Sequence, residues 1–381
     1  MRLTLIPFAL CATVFIAISG ANAQAQAVRP EAVATGLQNP WALAFLPQGR
    51  FLVTERPGRL RVVEPDGRLG PPVAGLPAID AGGQGGLLDV ITDAGFATNR
   101  RIYFCFSEPA VSGGGNSTAL ARATLAADNS RLEDVQVLFS QKPKFSSSAH
   151  FGCRIVEAHK DGKPDGTLFL TLGDRYSRMQ DAQKLDNHHG KVVRINKDGS
   201  VPKDNPFVGR AGALPEIWSY GHRNMQGATL APDGGYWTHE HGPQGGDEIN
   251  LPQPGRNYGW PVITYGENYG GGKMGEGITA RAGMEQPLHY WVPSIAPSGM
   301  VFLTSTRYGP AWQGNLFVGS LKFAYLNRIE LSAPFKGQVV REHKLLDGGG
   351  ERIRDVRQGP DGLLYVLTDS PRGRLLRLQP G

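Results

Sequence analysis

With 381 residues, 51 of them glycine and 28 proline, and only 19% charged side chains, the chain is too turn-rich for a helical bundle and long enough for one large domain. Its 40 basic and 34 acidic residues leave a net charge of +6. These charges are scattered, with no Lys/Arg run or aromatic-interleaved basic patch, which argues against a nucleic-acid partner.

The first residues combine Arg2, an apolar run from Leu3 to Ile18 and the small-residue triplet Ala21-Asn22-Ala23. They read as a secretory signal over 1–23, so the mature chain is expected to be periplasmic or secreted and to have no membrane span. An uncleaved N-terminal anchor is the alternative, but the run is short for a span. Cys11 leaves with the signal. Cys105 and Cys153 remain, either as a disulfide or as two separate buried thiols.

One pattern then recurs: an apolar-alternating strand, a PDG-like turn, a second strand and a charged or Gly-rich loop. Copies begin near Trp41, Gly86, His150, Gly227, Ser298 and Ile353. Six units of blade length predict an all-β fold, a six-bladed β-propeller of four-stranded antiparallel blades, as a single domain over 28–380. In such a ring each twisted sheet buries its faces on its neighbours, and closure leaves only short edges. The strand near Val33 is expected to complete the last blade, whose own strands end at Leu378. Gly113–Asn116 and Asn268–Gly277 read as polar insertions between strands.

Candidate chemistry sits in the loops. Gln84 lies among glycines that let backbone approach a ligand. His150 opens the third unit, where a neutral imidazole could take a proton from a hydroxyl. Asp174 and Arg175 follow a later strand of that unit. His188-His189 and His239/His241 lack a third ligand at a zinc spacing. Gly221–Asn250 joins an Arg223-Asn224 pair to the loop HGPQGGDE, so one end suits an anion and the other a hard cation. Lys322 comes from a later unit. Arg352 and Arg354 alternate on a strand and share a face, which is unfavourable unless an anion meets them. Cations from separate blades converging on a central channel would suit a negatively charged cofactor.

The ordered set GHRN, HGPQGGDEIN with NYGWP, SLK and RIRDV resembles the soluble glucose/sorbosone dehydrogenase family over about Val28 to Leu378. It is most similar to the aldose sugar dehydrogenases that use pyrroloquinoline quinone (PQQ). The resemblance implies a six-bladed propeller, with PQQ and Ca2+ as cofactors. It implies oxidation of aldose sugars at the anomeric carbon to lactones, by hydride transfer to the quinone. It further implies His150 as general base and Arg223 as stabiliser of developing negative charge. Gln84, Arg223, Asn224, Tyr269, Lys322, Arg352 and Arg354 would hold the quinone. The carbonyls of Gly242 and Pro243 would bind the active-site Ca2+, and Glu248 and Tyr258 a second, structural one. The partners implied are an aldose and an unidentified electron acceptor, with the chain a monomer or homodimer.

Two positions depart from the glucose-oxidising members, in which an Asp precedes the base and a Gln follows TLGD; here these are Ala149 and Arg175. Two substrate-side contacts are therefore expected to differ, favouring a broad aldose range, with His289, Tyr290 and Trp291 as a possible aromatic wall. A Ca2+-dependent lactonase would favour axial carboxylates and Asn around the metal, and the cationic cluster argues against it. A non-catalytic carbohydrate-binding propeller is the third reading.

Overall fold

The computed structural model describes residues 28–381; the expected signal segment lies outside them. Six four-stranded antiparallel sheets form the fold. Their first strands are Pro40–Phe45, Leu87–Thr92, Gly152–Lys160, Met225–Leu230, Pro297–Phe302 and Ile353–Gln358, starting within two residues of the six repeats read from the sequence. Pro40–Phe45 is buried almost throughout, because a strand between neighbouring blades has no solvent face. Apolar layers fill the seams. One joins Trp41, Leu88, Phe106, Phe151 and Leu170 across the first three blades. Another joins Leu43, Phe317, Val356 and Leu376 where the ring closes.

Closure uses the N-terminal strand. Val28–Leu37 pairs antiparallel with Gly373–Pro380, from Val28 opposite Pro380 to Leu37 opposite Gly373. The PDG turn at Gly67 abuts that strand. Its φ is +85°, and a Cβ there would sit 2.0 Å from the Val33 carbonyl oxygen, so only glycine fits. Gly113–Gly115 proves to be a hairpin turn, with Asn116 already in the strand Asn116–Leu125. The segment Asn268–Gly277 lies within the long connection 251–288 of the fourth blade.

Cys105 and Cys153 form a disulfide between the second and third blades, with Cα atoms 5.7 Å apart, which settles the alternative left open above. Nearby, three buried side chains and the partly exposed Arg357 close a ring of ion pairs. Arg154 reaches Asp89 (3.3 Å) and Asp355 (3.0 Å), and Arg357 reaches the same two carboxylates at 2.7 and 3.0 Å. These residues come from the first strands of three blades, so the ring ties them together. No helix of the described residues is long and apolar enough to cross a membrane.

Candidate active site

The site lies at the end of the ring where the first strand of each blade begins. His150 sits two residues before the strand Gly152–Lys160, which pairs Gly152 with Leu172 of the next strand. Carrying that register outward brings His150 beside Asp174. His150 Nδ1 lies 2.6 Å from Asp174 Oδ1. Trp260 Nε1 donates to Asp174 Oδ2 at 2.7 Å, and the Tyr176 N–H to Oδ1 at 2.8 Å. A carboxylate facing Nδ1 fixes the proton there, leaving Nε2 as the basic nitrogen. His150 holds φ +54°, and its N–H donates to Gln84 Oε1 at 2.9 Å. Burial pushes the imidazole below its ordinary range; Asp174 pulls it up, but burial wins, helped by the positive charges of Arg223 and Arg175.

A cavity of about 280 Å³ opens beside His150, lined also by Tyr176, Ser177, Arg223, Pro243, Trp260 and Tyr269. Arg223 is 4% exposed. It donates to the His241 carbonyl (3.1 Å) and the Tyr269 hydroxyl (3.4 Å), and its charge faces the Trp260 ring at 5.2 Å.

A larger cavity of about 760 Å³ gathers Gln84, Asn224, Lys322, Arg352 and Arg354, the cofactor-holding set named from the sequence apart from Arg223 and Tyr269. Arg56 and Asp369 line it too, and sequence reasoning missed both. Asp369 accepts from Arg352 (3.0 Å) and Arg354 (2.8 Å), so the anion that makes this arginine pair tolerable is in part the chain's own. Burial alone would raise the Asp369 carboxyl, but Arg354 and Arg352 outweigh it and hold it low. Four cationic side chains still face one carboxylate. The Nε atoms of Arg354 and Arg223 are buried without a partner among the described residues. Such a cavity suits an anionic ligand.

A third, small cavity of about 10 Å³ is bounded by Gly242, Glu248 and Tyr258 with Glu240, Arg223 and His241. The residues assigned from the sequence to two calcium ions are thus regrouped: Gly242 joins Glu248 and Tyr258, while Pro243 lines the His150 cavity. The Tyr258 hydroxyl donates to the Leu251 carbonyl at 2.6 Å and accepts the Gln253 N–H at 2.9 Å, so both its proton and a lone pair are engaged and the main-chain oxygen of Tyr258 is the freer ligand. Burial and the neighbouring Glu240 charge hold the Glu248 carboxyl well above its usual range, and Asn250, bonded to both glutamates, leaves Oδ1 unpartnered. A hard cation would relieve both conditions. Among the described residues no three His, Cys, Asp or Glu side chains cluster to hold a metal, so main-chain oxygens would have to complete the shell. Gly242 sits in such a loop: a Cβ on it would lie 2.1 Å from the Gly245 oxygen and 2.4 Å from that of Gly246.

Two further expectations are corrected. Arg175 is not on the substrate side: it is fully buried, its guanidinium turned into the loop before His150. His289 and Trp291 form no sugar-facing wall, because both reach Glu342 of the next blade, and Tyr290 stacks on Tyr265. His241 Nε2 lies 2.6 Å from the Pro297 carbonyl, His188 pairs with Glu216 and His189 with Asp181, so these rings serve local structure.

The family model described as Glucose / Sorbosone dehydrogenase matches residues 37–377. The chain is 45% identical over 356 residues to the aldose sugar dehydrogenase YliI of Escherichia coli (strain K12), covering 93% of each. It is 30% identical to quinoprotein glucose dehydrogenase B of Acinetobacter calcoaceticus, covering 92% of this chain and 87% of the relative. Among solved structures, the apo form of the soluble aldose sugar dehydrogenase from Escherichia coli matches with a TM-score of 0.87 at 43% identity, over 93% of this chain and 100% of that one. The PQQ-bound aldose sugar dehydrogenase from Streptomyces coelicolor matches with a TM-score of 0.74 at 26% identity, over 94% and 100%. With a family model spanning nearly the whole propeller, and relatives this similar over this length, the chain belongs to the glucose/sorbosone dehydrogenase family.

Proposed function

We propose that the protein is a PQQ- and Ca2+-dependent aldose sugar dehydrogenase that oxidises the anomeric carbon of aldoses to lactones. The observation that carries this is the pairing of a buried, carboxylate-oriented imidazole with a neighbouring cationic cavity. When bound, the quinone supplies the two-electron acceptor for the hydride and Ca2+ the Lewis acid that makes it electrophilic. Lys322, Arg352, Arg354 and Arg56 would balance its carboxylates, with Gln84, Asn224 and Tyr269 adding polar contacts. Gly242 and Pro243 would offer carbonyls to the active-site Ca2+, and Glu248 with the Tyr258 carbonyl would serve a structural one.

The chain's own part in the chemistry is proton handling and positioning. His150 Nε2 takes the proton from the anomeric hydroxyl as the C1 hydride departs. Asp174 keeps the Nδ1 proton in place and stabilises the imidazolium that forms, and Trp260 holds Asp174. Arg223 offers fixed positive charge to oxygen that gains electron density. A neutral resting imidazole fits the lowered pKa. Above its folded pKa the base is free, so kcat/KM should hold level as pH falls through the ordinary histidine value of about 6.5 and decline only at more acid pH. An acid limb centred above that value would contradict this environment for His150.

Arg354 tests the cofactor cavity separately. Burial lowers its pKa, the cost expected of a cation waiting for an anion. Arg354→Ala should weaken PQQ binding about 10- to 100-fold, the worth of one charged hydrogen-bonding group, in a fluorescence titration of the Ca2+-loaded protein. Binding within twofold of the parent would remove Arg354 from the cofactor site.

The lactonase and the silent propeller lose support for specific reasons. The axial carboxylates a lactonase would use, Asp89 and Asp355, are tied to Arg154 and Arg357. A silent sugar-binding propeller would have no use for unpartnered buried guanidinium nitrogens beside an oriented imidazole. The Cys105–Cys153 disulfide fits periplasmic or secreted placement. The experiment is reconstitution: chelator-treated protein given Ca2+ and PQQ should reduce an artificial electron-accepting dye with several aldoses. Quinone uptake without dye reduction for any aldose would sink the dehydrogenase reading.

A further inference from the structure

Arg175 is a buried charge that the mechanism above leaves unused. Its side chain is fully buried, yet no carboxylate of the described residues lies within salt-bridge range of it. Burying an unpaired charge is costly, so its contacts must be worth having. They converge on one short segment. Nη1 donates to the Ala149 carbonyl at 2.9 Å and the His150 carbonyl at 3.3 Å, and Nη2 to the Ser147 carbonyl at 2.6 Å. The guanidinium lies over the Phe151 ring, its central carbon 3.7 Å from the ring centroid. Four of the five residues from Ser147 to Phe151 are thus gripped by one side chain.

That segment needs holding. His150 adopts a left-handed backbone, φ +54°, unfavourable for a residue with a Cβ. Gln84 steadies it on the amide side, accepting the His150 N–H. Arg175 steadies it on the carbonyl side. The two grips are joined, because Arg175 Nη2 also donates to Asn116 Oδ1, while Asn116 Nδ2 donates to Asp80 at 2.8 Å, in the loop that carries Gln84. Arg175 itself is at φ +61°, directly after Asp174, so one turn supplies both the carboxylate that orients the imidazole and the clamp on its backbone.

We propose that Arg175 is a positioning residue for the general base. Its guanidinium, braced by Asn116 and Phe151, fixes segment 147–151 so that the His150 ring meets Asp174 and presents Nε2 to the sugar. This rests on the reading of His150 as base. Turned inward, Arg175 does not line the sugar cavity, whose wall on that side is Tyr176, Ser177 and Met179.

The test uses full-length protein loaded with Ca2+ and PQQ, comparing Arg175→Met, Arg175→Lys, Asn116→Ala and His150→Ala. A base displaced by a fraction of an ångström costs turnover rather than cofactor binding, so Arg175→Met should lower kcat about 10- to 100-fold. The PQQ dissociation constant should stay within twofold. Arg175→Lys should recover part of the rate and Asn116→Ala should fall between Arg175→Met and the parent. In the apo protein, hydrogen exchange should quicken at amides 147–151 in Arg175→Met while the strand beyond Arg154 keeps its protection. A kcat for Arg175→Met within twofold of the parent, or unchanged exchange at 147–151, overturns the proposal. If Arg175→Met does not fold, Asn116→Ala decides on the same two readouts. A His150→Ala protein that turns over at the parent rate instead removes the base assignment, and the clamp's purpose with it, so the two failures are told apart.

Discussion

Replacing His150 with alanine is expected to lower kcat/KM for every aldose substrate by about 10²- to 10⁴-fold, the usual worth of a positioned general base. PQQ uptake should remain within a few fold, because five of the seven residues named from the sequence as holding the quinone line the larger cavity, which His150 does not. The loss should fall on kcat, since the proton leaves the anomeric hydroxyl only in the transition state. Steady-state kinetics on the reconstituted variant, with a PQQ titration beside it, gives both numbers. An unchanged kcat would take His150 out of the mechanism. Equal loss of PQQ affinity and rate would make its role one of cofactor binding.

The second large effect lies on the propeller axis. Arg154→Met keeps the side chain's bulk but strips the buried cation from the ring, leaving the buried Asp89 and Asp355 to share the partly exposed Arg357. Breaking a buried pair from one side exposes an uncompensated charge to a low-dielectric interior, costing about 3–5 kcal/mol. Arg154 does more than pair: Nε donates to the Gln226 carbonyl at 2.7 Å, and the guanidinium lies 4.1 Å from the Trp41 ring in the wall of the larger cavity. Urea unfolding of Arg154→Met should therefore show a midpoint well below that of the parent. A loss under about 1 kcal/mol would mean that the ring relaxes or hydrates freely and is no structural keystone.

The repeat pattern made the ring legible because each blade repeats one local grammar, strand, PDG turn, strand, and hydrophobic alternation survives in a single sequence. Even the closure by Val28–Leu37 could be read, since a strand near Val33 precedes the first unit and the last unit's own strands end at Leu378. The site was less legible in proportion to its dependence on register. Asp174 is adjacent to His150 only because Gly152 pairs with Leu172, a fact the sequence implies once the hairpin is drawn but does not announce. Arg56 and Asp369 follow strands of different blades, and no local motif marks them as neighbours of Arg354. The expectation that Arg175 lies on the substrate side rests only on the family resemblance at its place after TLGD. The residue's backbone is left-handed, φ +61°, and its side chain grips the segment leading into His150, a detail invisible in residue type. The Tyr258 hydroxyl, a reasonable oxygen ligand by residue type, is held instead by the Leu251 carbonyl.

The most direct measurement is a single turnover followed by the cofactor's own absorbance. Protein loaded with Ca2+ and one equivalent of PQQ is mixed with an aldose, without any electron-accepting dye, in a stopped-flow spectrometer. The expected result is loss of the quinone spectrum by one equivalent in the parent protein and none on the same timescale in His150→Ala. PQQ that binds stoichiometrically yet stays oxidised under every aldose would contradict the account.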